Sequence, residues 1–166
     1  MAERCRWKAN GMLKIIGAGL VIVAAAAIAS AGLADPLPTT AKPLSSDAVT
    51  KLYAGKTAVG KDSDIFFAPS GIAKGILGKP KAASTLMGTW SVAANEICLY
   101  IFRNKDPTTY RDCYKYWQDG GHIITLWSSR SDGTAADEKT GYYRGEESKL
   151  KPDDLVSGKY DAAGGS

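Results

Sequence analysis

The rhythm of apolar and polar residues differs from segment to segment along this chain, and each change marks a boundary. From Ile15 to Ile28 the run IIGAGLVIVAAAAI carries no charge. Arg4, Arg6, Lys8 and Lys14 precede it, and the small-residue triplets Ala29-Ser30-Ala31 and Gly32-Leu33-Ala34 follow. Positive, apolar and small-residue regions in that order make a secretory leader: the charge stays behind, the apolar run enters the translocation site, and the peptidase needs small side chains. Residues 1–34 are therefore expected to be a signal peptide, helical while it lasts and cut after Ala34. The alternative is a retained inner-membrane anchor over residues 15–31, a little shorter than the roughly 20 residues that span a bilayer. Its alanine-rich composition contributes little to insertion.

Beyond the leader, PLPTTAKP places residues 35–44 as a flexible, partly polyproline linker. The 3.6-residue period then appears once. Ser45-Ser46-Asp47 offers a hydroxyl cap, Val49, Leu52 and Tyr53 share one helical face, and Gly55 ends the helix. After it the period becomes strand-like and is broken by turn residues: TAVGK, DIFFA, IAKGIL, TLMGTWSVAA, EICLYIF, YRDCYKYW, HIITLWSSR and YYRG. In EICLYIF, Ile97, Leu99 and Ile101 oppose Cys98, Tyr100 and Phe102, so both faces are largely apolar and the strand is expected to be central. The fold class read from this pattern is mainly β: a small antiparallel meander or barrel-like sheet with one short N-terminal helix, lipocalin-like at most. The β domain covers residues 45–145, and the charged, small-residue segment 146–166 is expected to be an irregular or disordered tail.

Cysteine usage follows from the compartment. Cys5 belongs to the leader, so the exported part keeps Cys98 and Cys113, on two strand-like runs joined by NKDPTT. Antiparallel pairing of the two cysteines sets Tyr100 opposite Arg111 and Phe102 opposite Thr109, with the turn around Lys105-Asp106. A disulfide is then expected, and a closed loop of about 15 residues stabilises by roughly 3 kcal/mol. A redox-active dithiol is the alternative, without the Cys-x-x-Cys spacing that such chemistry favours.

Charge changes the picture only by vanishing. The formal net charge is +4, but Arg4, Arg6, Lys8 and Lys14 lie in the leader against Glu3, and the remainder is close to neutral. Nucleic acid is not an expected partner, and a membrane is one only through an uncleaved leader. The lone histidine, His122, opens a strand after Gly120-Gly121 and is the one candidate catalytic base. No second group is signalled beside it, so no catalytic residue is assigned. One His and scattered carboxylates are too few for a metal site, and no cofactor motif is present. The candidate ligand-binding residues are aromatics crowding one hairpin and its neighbour, Tyr100, Tyr114, Tyr116, Trp117 and Trp127, together with His122. The competing reading makes these aromatics cross-strand packing pairs.

LYAGKT, FFAPSG, GTWSV and the spaced Cys98 and Cys113 with YKYW after the second resemble an alphaproteobacterial family of small exported proteins, domain of unknown function 995, over residues 44–130. The resemblance implies export and assigns no catalytic residue. Gly88 and Trp90 are similar to the Gly-x-Trp element of lipocalin-like barrels, placed here in mid-chain. The expected function is that of a non-enzymatic periplasmic or secreted module binding a small ligand, an envelope polymer or a protein. Two alternatives stand beside it: a hydrolase of envelope material using His122 and a carboxylate, and a protein inhibitor.

Overall fold

The computed structural model describes residues 36–78, 84–104 and 106–164; the leader reading falls outside them. Among the described residues no helix is long and apolar enough to cross a membrane. In chain order the elements are β1 Lys42–Pro43, α1 Ser46–Tyr53, β2 Lys56–Val59, β3 Ser63–Phe67, β4 Ile72–Leu77 and β5 Ser84–Ala93. There follow β6 Glu96–Arg103, β7 Asp106–Asp119, β8 His122–Ser129, β9 Tyr142–Arg144, the 3-10 turn Glu146–Lys149, β10 Leu150–Pro152 and α2 Ser157–Ala162.

The strands form one antiparallel sheet in the order β10-β2-β3-β4-β5-β6-β7-β8-β9, with β1 added beside β7. Apart from β10 and β1, each strand pairs with its neighbour in sequence, which is the meander that the regularly spaced turns foretold. The sheet curls into a half-barrel. Its two edge strands, β9 and β10, are consecutive in the chain and joined only by Gly145 and the 3-10 turn, which lies against β2, β8 and β10. This link forms a seam.

Alternation sorts the faces. Ile97, Leu99 and Ile101 point into the concave side and join Phe67, Ala73, Leu86, Trp90 and Tyr116 in the main core. Helix α1 lies against this side. The Ser45 hydroxyl accepts from the Ala48 amide at 3.2 Å, and Val49 and Tyr53, one turn apart, bury into the core. Gly55, at φ +75°, turns the chain directly into β2. The Gly-x-Trp element has a packing role: a Cβ at Gly88 would lie 1.8 Å from the Tyr100 carbonyl oxygen, so only glycine fits there. Trp90 donates its indole N–H to the Ala68 carbonyl at 2.9 Å.

On the convex side Cys98 and Cys113 stand directly opposite and are bonded, with Cα atoms 4.1 Å apart. Tyr100 faces Arg111 and Phe102 faces Thr109, the register expected from the cysteine pairing. Strand β6 lies between β5 and β7, well inside the sheet, but its convex positions are uneven: Cys98 is buried, whereas Phe102 is 56% exposed.

Four expectations need correction. Residues 146–166 are not an irregular tail over their described part: they supply the seam, β10 and α2. Asp154 accepts from the amides of Val156 and Ser157, and Val156 and Tyr160 bury against Ile76 on the convex face. So α1 is not the one helix of note, and among the described residues the sheet has ten strands where the pattern marked eight runs. The linker is also bound: Leu37 and Ala41 pack on Trp117, Ile124, Leu126 and Tyr142, and Lys42–Pro43 pairs with Trp117 and Gln118. Apolar side chains at isolated positions found partners far along the chain, a gain that local composition does not display.

Candidate functional site

The concave face does not fill completely. Between the two ends of the sheet, beneath the seam, lies a hollow of about 180 Å³. Ile65 and Phe67 from β3 and Ile97 and Leu99 from β6 make its apolar wall. Tyr53 from α1 and Tyr114 and Tyr116 from β7 bring three phenols to it. The 3-10 turn contributes Glu146 and Lys149, the only charged residues among those lining it.

The phenols are organised from behind. The Tyr53 and Tyr116 hydroxyls are hydrogen-bonded at 2.5 Å, and the Tyr53 ring meets Phe67 and Tyr116 edge-on at 4.7 and 5.8 Å. Tyr114 stacks on Trp127 at 5.4 Å, the two being cross-strand partners. Burial pushes the Tyr53, Tyr114, Tyr116 and Tyr143 phenols well above the ordinary value of 10.0, and the charge of Glu146 pushes the same way on all four. At neutral pH these hydroxyls are hydrogen-bonding groups, not charges. Glu146 is the anion they surround, and Lys149 answers it at 2.8 Å.

The structure brings together some of the residues singled out from the sequence and separates others. Tyr114 and Tyr116 line the hollow, with Trp127 backing Tyr114. Tyr100 is on the convex face, its hydroxyl accepting from Arg111 Nε at 2.8 Å. Trp117 is also convex and lies beneath the N-terminal segment. His122 sits exposed at the start of β8. Among the described residues its ring makes no hydrogen bond. Its cross-strand partner Asp119 is engaged elsewhere, accepting from Thr40 at 2.7 Å and pairing with Arg144 at 2.9 Å. Those two hydrogen bonds hold the Asp119 carboxyl below its usual range. The His122 charge also lowers the Asp119 carboxyl, as a smaller effect than the two hydrogen bonds.

Among the described residues, ligand-type atoms of Glu96, Cys98 and Cys113 lie within 4.8 Å of one another. Both sulfurs are bonded to each other, which leaves one carboxylate for a metal. The residues that sequence reasoning passed over are Tyr53, a core position of α1, and Glu146 and Lys149, which read as solvated charges. No local pattern marks those two, because only closure of the sheet brings them to the hollow.

Fold and hollow together define a class, a small antiparallel half-barrel whose interior opens at the seam between its edge strands. The chain belongs to the family described as protein of unknown function (DUF995), whose model matches residues 19–134. The matched stretch runs from before β1 through β8 and stops short of the seam. No curated protein and no solved structure matches the chain.

Proposed function

We propose that this protein is an exported, non-enzymatic binding module that takes a small ligand into the hollow beneath the seam. The observation that carries the reading is the hollow itself: an apolar wall on one side, convergent phenols and one ion pair on the other, the composition of a ligand site. A cavity of about 150 Å³ holds benzene, so a volume of about 180 Å³ suits a ligand of one ring, or its aliphatic equivalent, with one polar head. Export rests on the leader pattern of residues 1–34 and fits the Cys98–Cys113 bond, which persists in oxidising compartments.

The test is native mass spectrometry of the full-length gene product recovered from its own cell envelope. The expected result is a chain beginning at Asp35 in the periplasmic or secreted fraction, carrying a small adduct that is lost in Ala58→Phe, since Ala58 of β2 also lines the hollow and a phenyl ring there fills it. An intact leader, or an adduct unaffected by Ala58→Phe, overturns the reading.

A further inference from the structure

Glu146 and Lys149 are unequal partners. The Glu146 side chain is 14% exposed and the Lys149 side chain 49%. The carboxylate is held in the wall of an aromatic hollow, whereas the ammonium reaches it on a flexible stem from the solvent side. The Lys149 ammonium also lies 5.5 Å from the centre of the Tyr143 ring, within the range of a cation–π contact. One alkylammonium thus already occupies a position between a carboxylate and an aromatic face, beside an apolar cavity of about 180 Å³.

If Lys149 swings out, Glu146 keeps the Tyr143 hydroxyl beside it but loses its counter-charge, which another cation restores. A neutral molecule does not supply that compensation, and an anion aggravates the deficit. Glu147, its neighbour, adds a buried carboxylate oxygen, Oε2, that lacks a hydrogen-bond partner among the described residues. The two carboxylates of the turn are answered by Lys149 and by Lys151, whose ammonium donates to the Ser148 carbonyl at 3.1 Å, and of these two cations Lys149 is the one that lines the hollow.

We infer that the hollow selects a compact organic cation, a primary amine carrying a single ring or an equally small apolar body, and that Lys149 is a built-in surrogate which such a ligand displaces from Glu146 and Tyr143. The inference rests on the reading of the hollow as a ligand site and adds its charge selectivity. The ammonium of the ligand donates to Glu146 and lies on the Tyr143 face, while its apolar body fills the space against Ile65, Phe67, Ile97 and Leu99.

Calorimetric titration of the oxidised mature protein with benzylammonium, benzyl alcohol and benzoate, probes of nearly one size and three charges, tests this. Benzylammonium is expected to bind at least about tenfold more tightly than benzyl alcohol, and benzoate most weakly, as a desolvated cation–π and charge pair implies. Glu146→Gln is expected to erase the preference while retaining benzyl alcohol binding, which also shows that the variant is folded. Lys149→Met, which removes the competitor and keeps the apolar stem, is expected to strengthen benzylammonium binding about fivefold. Equal binding of the amine and the alcohol, or weaker amine binding in Lys149→Met, overturns the cation inference and leaves the hollow as a site. Failure of all three probes in the wild-type protein overturns the ligand-site reading as well.

Discussion

The wall of the half-barrel and its seam are built on opposite plans. In the wall, β5, β6 and β7 carry Leu86, Trp90, Ile97, Leu99, Ile101 and Tyr116 inward, and the Cys98–Cys113 bond clamps β6 to β7 from outside. In the seam, Glu146 and Lys149 meet on a single 3-10 turn between two three-residue strands. The wall's interactions are apolar, buried and covalent, so stability is concentrated there. The seam offers one partly exposed ion pair, of a kind worth at most about 1 kcal/mol, and faces the hollow. On the proposed reading, holding falls to the wall and recognition to the seam, which makes the two separable by mutation.

The largest loss is expected from the wall. Trp90→Ala removes a buried indole and its bond to Ala68 and should cost about 3–5 kcal/mol in urea unfolding. A loss under about 1 kcal/mol would mean that the concave core is not where the stability lies. Alkali comes next. The buried phenols of Tyr53, Tyr114 and Tyr116 have pKa values raised above 10.0, whereas unfolded phenols titrate near that value. The stability they contribute is complete below pH 10 and falls as pH climbs from there toward the raised values, by up to about 1.4 kcal/mol per phenol per pH unit. Absorbance at 295 nm against pH should show these tyrosines ionising together with unfolding; ionisation at pH 10 in a folded protein would contradict it.

Replacing both Cys98 and Cys113 by serine should lower stability by roughly 3 kcal/mol, the loop-closure effect for the 15-residue separation. Ser45→Ala, which deletes the helix cap, should cost about 1 kcal/mol. Lys149→Met should shift the unfolding midpoint least of all, within about 0.5 kcal/mol. If Lys149→Met proves as damaging as the cysteine replacement, the division between wall and seam is wrong.

That division also separates what the sequence makes legible from what it hides. The pairing of Cys98 with Cys113 could be read because the two strands alternate cleanly and their turn is short, so the hairpin register follows from local pattern. The cap at Ser45 was readable for the same reason: the residues that make it are within three of each other. The seam lies between Arg144 and Leu150, and its cavity-facing role depends on β10 finding β2 across the whole chain. Nothing in GEESK distinguishes a carboxylate turned inward from a solvated one. The C-terminal helix was hidden differently, since its buried pair, Val156 and Tyr160, one turn apart, stands in a stretch of mostly charged and small residues. Trp117 carries a related lesson. It belongs to the aromatic cluster by sequence, yet it points to the convex side with Cys113, because inward and outward positions alternate along β7.

Strand β10 pairs Leu150, Lys151 and Pro152 with Ala58, Thr57 and Lys56, which sets an order of events in folding. One flank of β2 must wait for residues 150–152, so the hollow takes shape only after they have been made. Pairings between such distant residues form slowly. On the proposed export route that slowness is useful: the leader engages first, and the half-barrel closes on the far side.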